Sequence, residues 1–172
     1  MNKKILKYRV TYLEMNQKPS FDWPKNLKHK LSILLAESFP AWYFLFFYKQ
    51  VGKNYYWTDW LRKSEDEIDE FVNDENVLLY TLIKDGWPVG FYMLDYRKKD
   101  ICDLSFFGLV DEVIGVGLGK YLLQTAILTA WDSKKIRKLT VNTCSLDHKS
   151  AIYLYQKYGF TPVKYKDLEK TV

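Results

Sequence analysis

The stretch Ile114-Gly115-Val116-Gly117-Leu118-Gly119-Lys120 is the strongest indicator of fold and ligand in this sequence. It carries three of the eight glycines in the sequence, and it lies between a β-rich run and an apolar, helix-like run. Glycine lets the backbone approach a ligand closely and adopt positive φ, and a helix N-terminus carries a partial positive charge. The stretch therefore predicts a loop that offers backbone N–H groups to a phosphate, although a plain connecting turn has the same composition.

The pattern on either side of this loop predicts a mixed α/β domain. Alternating or β-branched runs predict strands at residues 8–15, 31–36, 77–83, 88–96, 101–110, 139–144 and 160–165. Helical spacing and stop signals predict helices at residues 39–51, 64–72, 117–131 and 149–158. Asp85-Gly86 predicts a tight hairpin turn, and Ser64 with Glu67 predicts a capping box at the start of the second helix.

The composition is that of one globular domain. A chain of 172 residues can bury about 70% of its unfolded surface, and a hydrophobic fraction of 48% excludes a disordered or fibrous protein. The net charge of +5 suits an anionic ligand. No RNA-binding or DNA-binding motif accompanies that charge, so nucleic-acid binding is not the favoured interpretation.

Nothing in the sequence predicts export or a membrane span. The basic residues at positions 3 and 4 are not followed by the apolar segment of a signal peptide. The longest apolar run, residues 39–48, is about half the length that a bilayer requires. Cys102 and Cys144 have no nearby CxxC or histidine partner, which predicts two buried free thiols and no metal site. We therefore expect a cytoplasmic protein.

The strand before the glycine loop indicates how the rest of a ligand would lie. Gly108 stands inside the run at residues 101–110, and a glycine in a strand marks a bulge or a close approach of another backbone. If Gly108 marks a bulge, the freed N–H and C=O groups would pair with an extended, amide-containing ligand. A pantetheine arm that ends in a pyrophosphate has this shape.

The last predicted helix carries a second motif, from His148 to Phe160: His-Lys-Ser-Ala-Ile-Tyr-Leu-Tyr-Gln-Lys-Tyr-Gly-Phe. Ala151 and Tyr155 lie four residues apart on one helical face. With these residues the chain resembles the GCN5-related N-acetyltransferase (GNAT) family, whose motifs are Gln/Arg-x-x-Gly-x-Gly/Ala and Asn-x-x-Ala-x-x-Leu-Tyr-x-x-x-Gly-Phe. The resemblance covers about residues 77–163 and looks closest to a bacterial branch of the family.

Two residues depart from the family's pattern. Ile114 stands where the family has Gln or Arg, so one side-chain contribution to the pyrophosphate site is missing. The backbone donors of residues 116–120 would have to bind the phosphates. His148 stands where the family has Asn.

The resemblance implies a fold and an activity. The fold would be α/β, a single domain over residues 1–172 with a mixed, mostly antiparallel central sheet flanked by helices on both faces. Residues 1–76 would form the acceptor side, and residues 77–165 the acetyl-CoA-binding core. The activity would be transfer of acetyl from acetyl-CoA to a primary amine by direct attack in a ternary complex, without a metal. The alternative is a non-catalytic CoA-binding regulatory module.

The resemblance also implies site residues. Those expected to bind acetyl-CoA are Phe107, Leu109, Ile114, Gly115, Val116, Gly117, Leu118, Gly119, Lys120, His148, Ala151 and Tyr155. Tyr155 would be the acid that protonates the departing thiolate, since phenols and thiols both have alkaline pKa values. Asp103 would be the base that takes a proton from the amine, with His148 as the second candidate.

Each of these roles has a structural alternative. Tyr155 would otherwise pack under the sheet, and Asp103 would be a solvated charge at a strand end. His148 and Asp147 would otherwise cap the last helix, which is the favoured role for that pair. A covalent route through Cys144 is disfavoured because no base is evident beside the thiol.

The acceptor side is the least determined part of the sequence. Trp57, Trp60 and Asp59 would hold a cationic amine by cation–π and charge contacts, or they would pack in the core around a short helix. The expected partner is an amine acceptor, either a small molecule or a peptide. No nucleic acid and no membrane partner is expected, and a homodimer is left open.

Overall fold

The computed structural model describes residues 5–25 and 30–171 and contains a seven-stranded sheet. Its strands are β1 (Ile5–Met15), β2 (Leu31–Ala36), β3 (Val77–Lys84), β4 (Trp87–Asp95), β5 (Ile101–Leu109), β6 (Lys138–Cys144) and β7 (Thr161–Thr171). Its helices are α1 (Ala41–Gly52), α2 (Glu65–Val72), α3 (Leu118–Ser133) and α4 (Ala151–Lys157), with short 3-10 helices at Trp60–Arg62 and Asp111–Val113. The predicted α/β class is confirmed.

The strands lie in the order β2-β3-β4-β5-β6-β1-β7. Neighbouring strands are antiparallel except for β5 and β6, which are parallel and pair only from Ile101–Lys138 to Asp103–Thr140. Beyond Asp103 the two strands part. The sheet therefore has a notch in its middle, between the second half of β5 and the second half of β6.

Helices cover both faces of the sheet. Successive strand residues point to opposite sides, so the central strands supply side chains to a core on each face. On β4, Tyr92 and Leu94 belong to the core under α3 and α4, whereas Phe91 and Met93 belong to the core under α1 and α2. All four of these side chains are fully buried. The mostly antiparallel sheet with helices on both faces is confirmed.

Two local signals in the sequence form the structures they predict. The Ser64 hydroxyl accepts the Glu67 backbone N–H, and the Glu67 carboxylate accepts the Ser64 backbone N–H, so α2 begins with a complete capping box. Asp85 and Gly86 adopt φ of +51° and +93° in the turn between β3 and β4. Positive φ at both positions is what a two-residue hairpin turn requires.

The end of the chain differs most from the predicted elements. The pattern predicts a strand at residues 160–165, whereas β7 continues to Thr171 because it pairs with β1 as far as Ile5. Much of this strand is exposed and charged, and Arg9 of β1 forms an ion pair of 2.7 Å with Asp167 of β7. An edge strand with exposed, charged side chains lacks the apolar alternation of a half-buried strand, so the sequence pattern does not predict its outer part.

Candidate functional site

The notch between β5 and β6 opens into a cleft of about 630 Å³. Its walls include the second half of β5, the turn before α4 and α4 itself. Residues of the glycine loop also line it, as do Tyr55 and Trp57 of residues 53–60, a segment that we call the strap. The fold therefore brings the two sequence motifs to one cavity.

The glycine loop leaves backbone donors free at the start of α3. Gly115 and Gly117 adopt φ of +89° and +87°, the left-handed region that glycine enters without strain. Gly117 is the N-cap residue, and no side chain caps the helix. The first N–H groups of α3 consequently have no partner within the helix, which suits an anion.

The loop residues predicted to bind the cofactor fall into two groups. Ile114, Gly115, Gly117, Gly119 and Lys120 line the cleft. Val116 and Leu118 do not line it. Val116 is 53% exposed, and Leu118 is buried in the core. Neither side chain lines the cleft, so only the backbone N–H groups of these two residues are left to contact a ligand there.

Two lysines bring positive charge to the cleft. Lys120 lies in the first turn of α3, and Lys157 is the last residue of α4. Within residues 5–25 and 30–171, neither lysine forms an ion pair with a carboxylate. Lys157 was not predicted from the sequence, because one lysine in a lysine-rich chain carries no signal of its own.

Of the two interpretations of Gly108, a bulge or a close approach of another backbone, the bulge is wrong, because the irregularity in β5 lies elsewhere. The pairing of β5 with β4 skips Ser105, whereas Gly108 pairs regularly with Phe91. A Cβ atom on Gly108 would lie 2.2 Å from Cγ1 of Val51, so glycine is needed there for the close approach of α1. The freed backbone arises instead from the notch.

Beyond Asp103, the β5 edge that faces β6 has no paired strand within the described residues. Phe107 and Leu109 lie on this part of β5 and line the cleft, as predicted for the residues beside a pantetheine arm. An extended ligand with amide groups could therefore pair with the backbone here. The unpaired backbone that the sequence attributes to a bulge therefore lies at the notch.

Tyr155 lies on α4 and lines the cleft together with Ala151. Its side chain is only 5% exposed and packs edge-on against the rings of Phe107 and Phe160. Burial raises the pKa of Tyr155 above its ordinary value of 10.0, and the charges of Asp147 and Asp103 act in the same direction. The hydroxyl therefore keeps its proton at neutral pH.

His148 and Asp147 do not share the helix-capping role predicted for them. His148 lines the cleft, and its Nδ1 accepts the Ser150 backbone N–H at 3.2 Å, in the turn before α4. Asp147 accepts hydrogen bonds from the Thr143 hydroxyl and from the Cys144 backbone N–H, both at 2.8 Å. The aspartate thus closes the turn after β6 and leaves the helix uncapped.

Asp103 is the last residue of β5 before the strands part. Its carboxylate accepts hydrogen bonds from the Thr140 hydroxyl at 2.5 Å and from the Ser105 hydroxyl at 2.8 Å. It lines a second groove of about 500 Å³, whose other carboxylates are Glu14 and Asp95. Asn142 lines both the groove and the cleft, so the two cavities meet at the notch.

Of the two arrangements left open for Trp57, Asp59 and Trp60, a cation site or core packing, both tryptophans show core packing. Asp59 is engaged in an ion pair with Lys170 at 2.9 Å, and Trp60 packs against Phe71 with ring centroids 4.5 Å apart. Trp57 is the strap tryptophan that lines the cleft, and its indole Nε1 donates to the Asp147 carboxylate at 3.0 Å. The three residues therefore point to different partners.

Both cysteines are free, and Cys102 is buried whereas Cys144 is half-buried, against the prediction of two buried thiols. Burial and the nearby charge of Asp147 raise the pKa of the Cys144 thiol, which opposes a thiolate nucleophile there. Within residues 5–25 and 30–171, no three His, Cys, Asp or Glu side chains cluster as a metal site. No helix in that part of the chain has the length and apolar character to span a membrane.

The model of the Acetyltransferase (GNAT) family matches residues 35–160 of this chain. No curated protein sequence matches it significantly. Among solved structures, this chain is similar to a functionally unknown conserved protein from Staphylococcus epidermidis (13% identity, TM-score 0.64). The match covers 96% of this chain and 62% of the Staphylococcus protein. It is also similar to a GCN5-related N-acetyltransferase from Kribbella flavida (14% identity, TM-score 0.63). That match covers 95% of this chain and 57% of the Kribbella protein.

A GNAT family acetyltransferase from Elizabethkingia anophelis, solved with acetyl-CoA bound, is 22% identical at a TM-score of 0.57, with 78% of each chain covered. These likenesses show the shared fold. The chain spans only 62% and 57% of the Staphylococcus and Kribbella proteins, so each of those chains extends well beyond the matched part.

Proposed function

Because the chain belongs to the GNAT acetyltransferase family, we propose that it transfers an acetyl group from acetyl-CoA to a primary amine. The observation that carries the proposal is the convergence of three features on one cleft. They are the uncapped glycine loop, the unpaired edge of β5 and the Tyr155 side chain. Each of them suits a different part of acetyl-CoA.

The residues present fit the phosphates and the pantetheine arm. The N–H groups at the start of α3 would hold the pyrophosphate, with Lys120 and Lys157 supplying the charge that a side chain at Ile114 lacks. Phe107 and Leu109 would pair with the arm through their backbone groups. Ala151 leaves room for the arm against α4 because its side chain is a single methyl.

Acetyl-CoA supplies the thioester whose acetyl carbon forms a bond to the amine nitrogen as its bond to sulfur breaks. Tyr155 would donate its hydroxyl proton to that sulfur and would be reprotonated from solvent. Its position in the cleft suits this role. Burial raises the pKa of the Tyr155 phenol, and it also raises the basicity of a thiolate in the same cleft. The proton transfer from phenol to thiolate therefore remains feasible.

Asp103 would take the proton that the amine loses. It lies where β5 and β6 part, on the groove side, and two hydroxyl donors hold its carboxylate in place. An amine that enters through the groove would meet the thioester at the notch. His148 is less suited to be the base, because its Nδ1 already accepts a hydrogen bond and its neutral proton therefore resides on Nε2.

The proposal is tested by the release of free CoA thiol from acetyl-CoA in the presence of a panel of primary amines. The panel would contain a polyamine, an aminoglycoside, an amino acid and a peptide with a free N-terminus. We expect thiol release that depends on at least one amine. Saturable acetyl-CoA binding with no turnover on any of these amines would contradict the proposal and favour the non-catalytic CoA-binding module.

A further inference from the structure

Trp57 closes the notch on the face of the sheet that α1 and α2 cover. Its ring centroid lies 6.1 Å from that of Phe106 on β5, and its Nε1 donates to Asp147, just beyond the end of β6. The indole therefore spans the gap between the two diverging strands. A group that entered the notch from the α4 side would end against this ring.

The indole is held on several sides. A Cβ atom on Gly52 would lie 2.3 Å from Cβ of Trp57, so α1 and the strap are in direct contact. The ring of Tyr48 lies 5.4 Å away, centroid to centroid. The Asp147 carboxylate that accepts the indole N–H is itself fixed by the Thr143 hydroxyl. A side chain packed and bonded in this way does not move aside easily.

The backbone around Trp57 is also tied down. Tyr56 adopts φ of +58°, an unusual conformation for a residue other than glycine. The Lys170 ammonium ties this turn down, because it donates to the Tyr56 carbonyl at 2.9 Å and to the Asp59 carboxylate at 3.0 Å. With 10% of its side chain exposed, Lys170 anchors the strap from the far edge of the sheet.

We propose that Trp57 sets the length of the acyl group that the enzyme accepts. This inference rests on the proposed function, since it places the acyl end of the donor in the notch. An acetyl group fits in front of the indole, whereas each further methylene must displace a fixed ring. In a rigid hydrophobic pocket, one methylene that does not fit costs about 10- to 200-fold. The enzyme is therefore selective for acetyl-CoA over longer acyl-CoA donors.

The test is a series of calorimetric titrations with CoA, acetyl-CoA, butyryl-CoA and hexanoyl-CoA. We expect wild-type protein to bind acetyl-CoA at least about 10-fold more tightly than hexanoyl-CoA. In Trp57→Ala that ratio should shrink by about 10-fold or more, while the affinity for CoA, which has no acyl group, changes by less than about 3-fold. Trp42→Ala is the matched control, because Trp42 is 66% exposed and lies outside the cleft.

Each outcome decides something. Equal binding of acetyl-CoA and hexanoyl-CoA by wild-type protein would overturn the inference, as would an unchanged ratio in folded Trp57→Ala. If Trp57→Ala does not fold, Trp57→Phe, which keeps an aromatic ring of smaller volume, should relax the penalty on butyryl-CoA alone. Failure of wild-type protein to bind CoA itself would overturn the proposed function, which separates that failure from one of Trp57.

Discussion

The glycine loop and the strap line the same cleft, yet different kinds of contact hold them in place. The loop takes its shape from its own residues, since Gly115 and Gly117 adopt positive φ and α3 begins one residue later. The strap depends on residues far away in sequence. Trp57 bonds to a carboxylate 90 positions further on, and Lys170 bonds to a strap carbonyl 114 positions before it.

The two parts of the cleft wall are therefore specified differently. The glycine loop needs only a short stretch of sequence and the helix that follows it. The strap takes its place only after the turn after β6 and the end of β7 have come together. Substitutions at the loop should therefore affect donor binding, and those at the strap contacts should affect stability.

The largest expected effect is on catalysis, at Tyr155, which lines the same cleft as the loop and the strap. Tyr155→Phe should lower kcat by about 10²- to 10⁴-fold, because it removes the proton that the leaving sulfur takes. Acetyl-CoA affinity should change by less than about 3-fold, since the ring and its packing remain. Because burial holds the pKa of Tyr155 above 10.0, the wild-type rate should show no alkaline fall from this group below about pH 10.

Steady-state kinetics and a binding titration measure these two quantities. Tyr165→Phe is the matched control, because Tyr165 lies on β7 outside the cleft and is 58% exposed. A kcat for Tyr155→Phe equal to that of the control would remove Tyr155 from the reaction.

The strap contacts are tested by Asp147→Ala. The change leaves the Trp57 indole N–H, the Thr143 hydroxyl and the Cys144 backbone N–H without their shared acceptor. Leaving buried donors unpaired costs about 1–3 kcal/mol, and the free energy of unfolding in urea should fall by that amount. Asp167→Ala, which breaks an exposed ion pair with Arg9, should cost less than about 1 kcal/mol. Equal losses would show that the strap contact is no stronger than a surface ion pair.

The glycine loop is tested by Gly117→Ala. At φ of +87° a side chain costs about 1–2 kcal/mol in backbone strain, and relief of that strain would move the N–H groups that face the phosphates. Acetyl-CoA affinity should fall by about 10-fold, as 1–2 kcal/mol implies. Gly86→Ala is a close control, since Gly86 has φ of +93° in a hairpin and, like Gly117, open space where the Cβ would be.

Both glycine variants should lose similar thermal stability, and only Gly117→Ala should bind acetyl-CoA more weakly. If Gly86→Ala weakened acetyl-CoA binding equally, the effect would come from general backbone strain and not from the N–H groups of the glycine loop.

The smallest expected effect is electrostatic. Lys157→Gln should weaken acetyl-CoA binding by about 3-fold and reduce its dependence on salt, because a partly exposed charge contributes about 1 kcal/mol or less. Lys149→Gln, on the exposed turn before α4, should change neither quantity. Titrations at low and high salt measure both effects. An unchanged salt dependence in Lys157→Gln would mean that the backbone of the loop binds the phosphates without this lysine.

The same contrast explains what the sequence could and could not predict. Positive φ, helix starts and hairpin turns are local, so the glycine loop, the capping box at Ser64 and the turn at Asp85 were all readable from a few residues. The charged outer part of β7 was not, because its strand conformation comes from pairing with β1.

The site shows the same limit. Asp147 was read as a helix cap from its position before α4, but its partners lie in β6 and in the strap. Gly108 predicts a bulge or a close approach of another backbone, and the close contact there is with the side chain of Val51, 57 positions earlier, on α1. Contacts between distant segments leave no pattern in the sequence on either side of them.

A crystal structure with acetyl-CoA bound is the decisive measurement. We expect the pyrophosphate within about 3 Å of the backbone N–H groups at residues 117–120, where Ile114 offers no side-chain donor. We also expect the thioester sulfur within about 3.5 Å of the Tyr155 hydroxyl, at the notch between β5 and β6. A ligand bound outside the cleft, or a sulfur beyond the reach of Tyr155, would contradict this expectation.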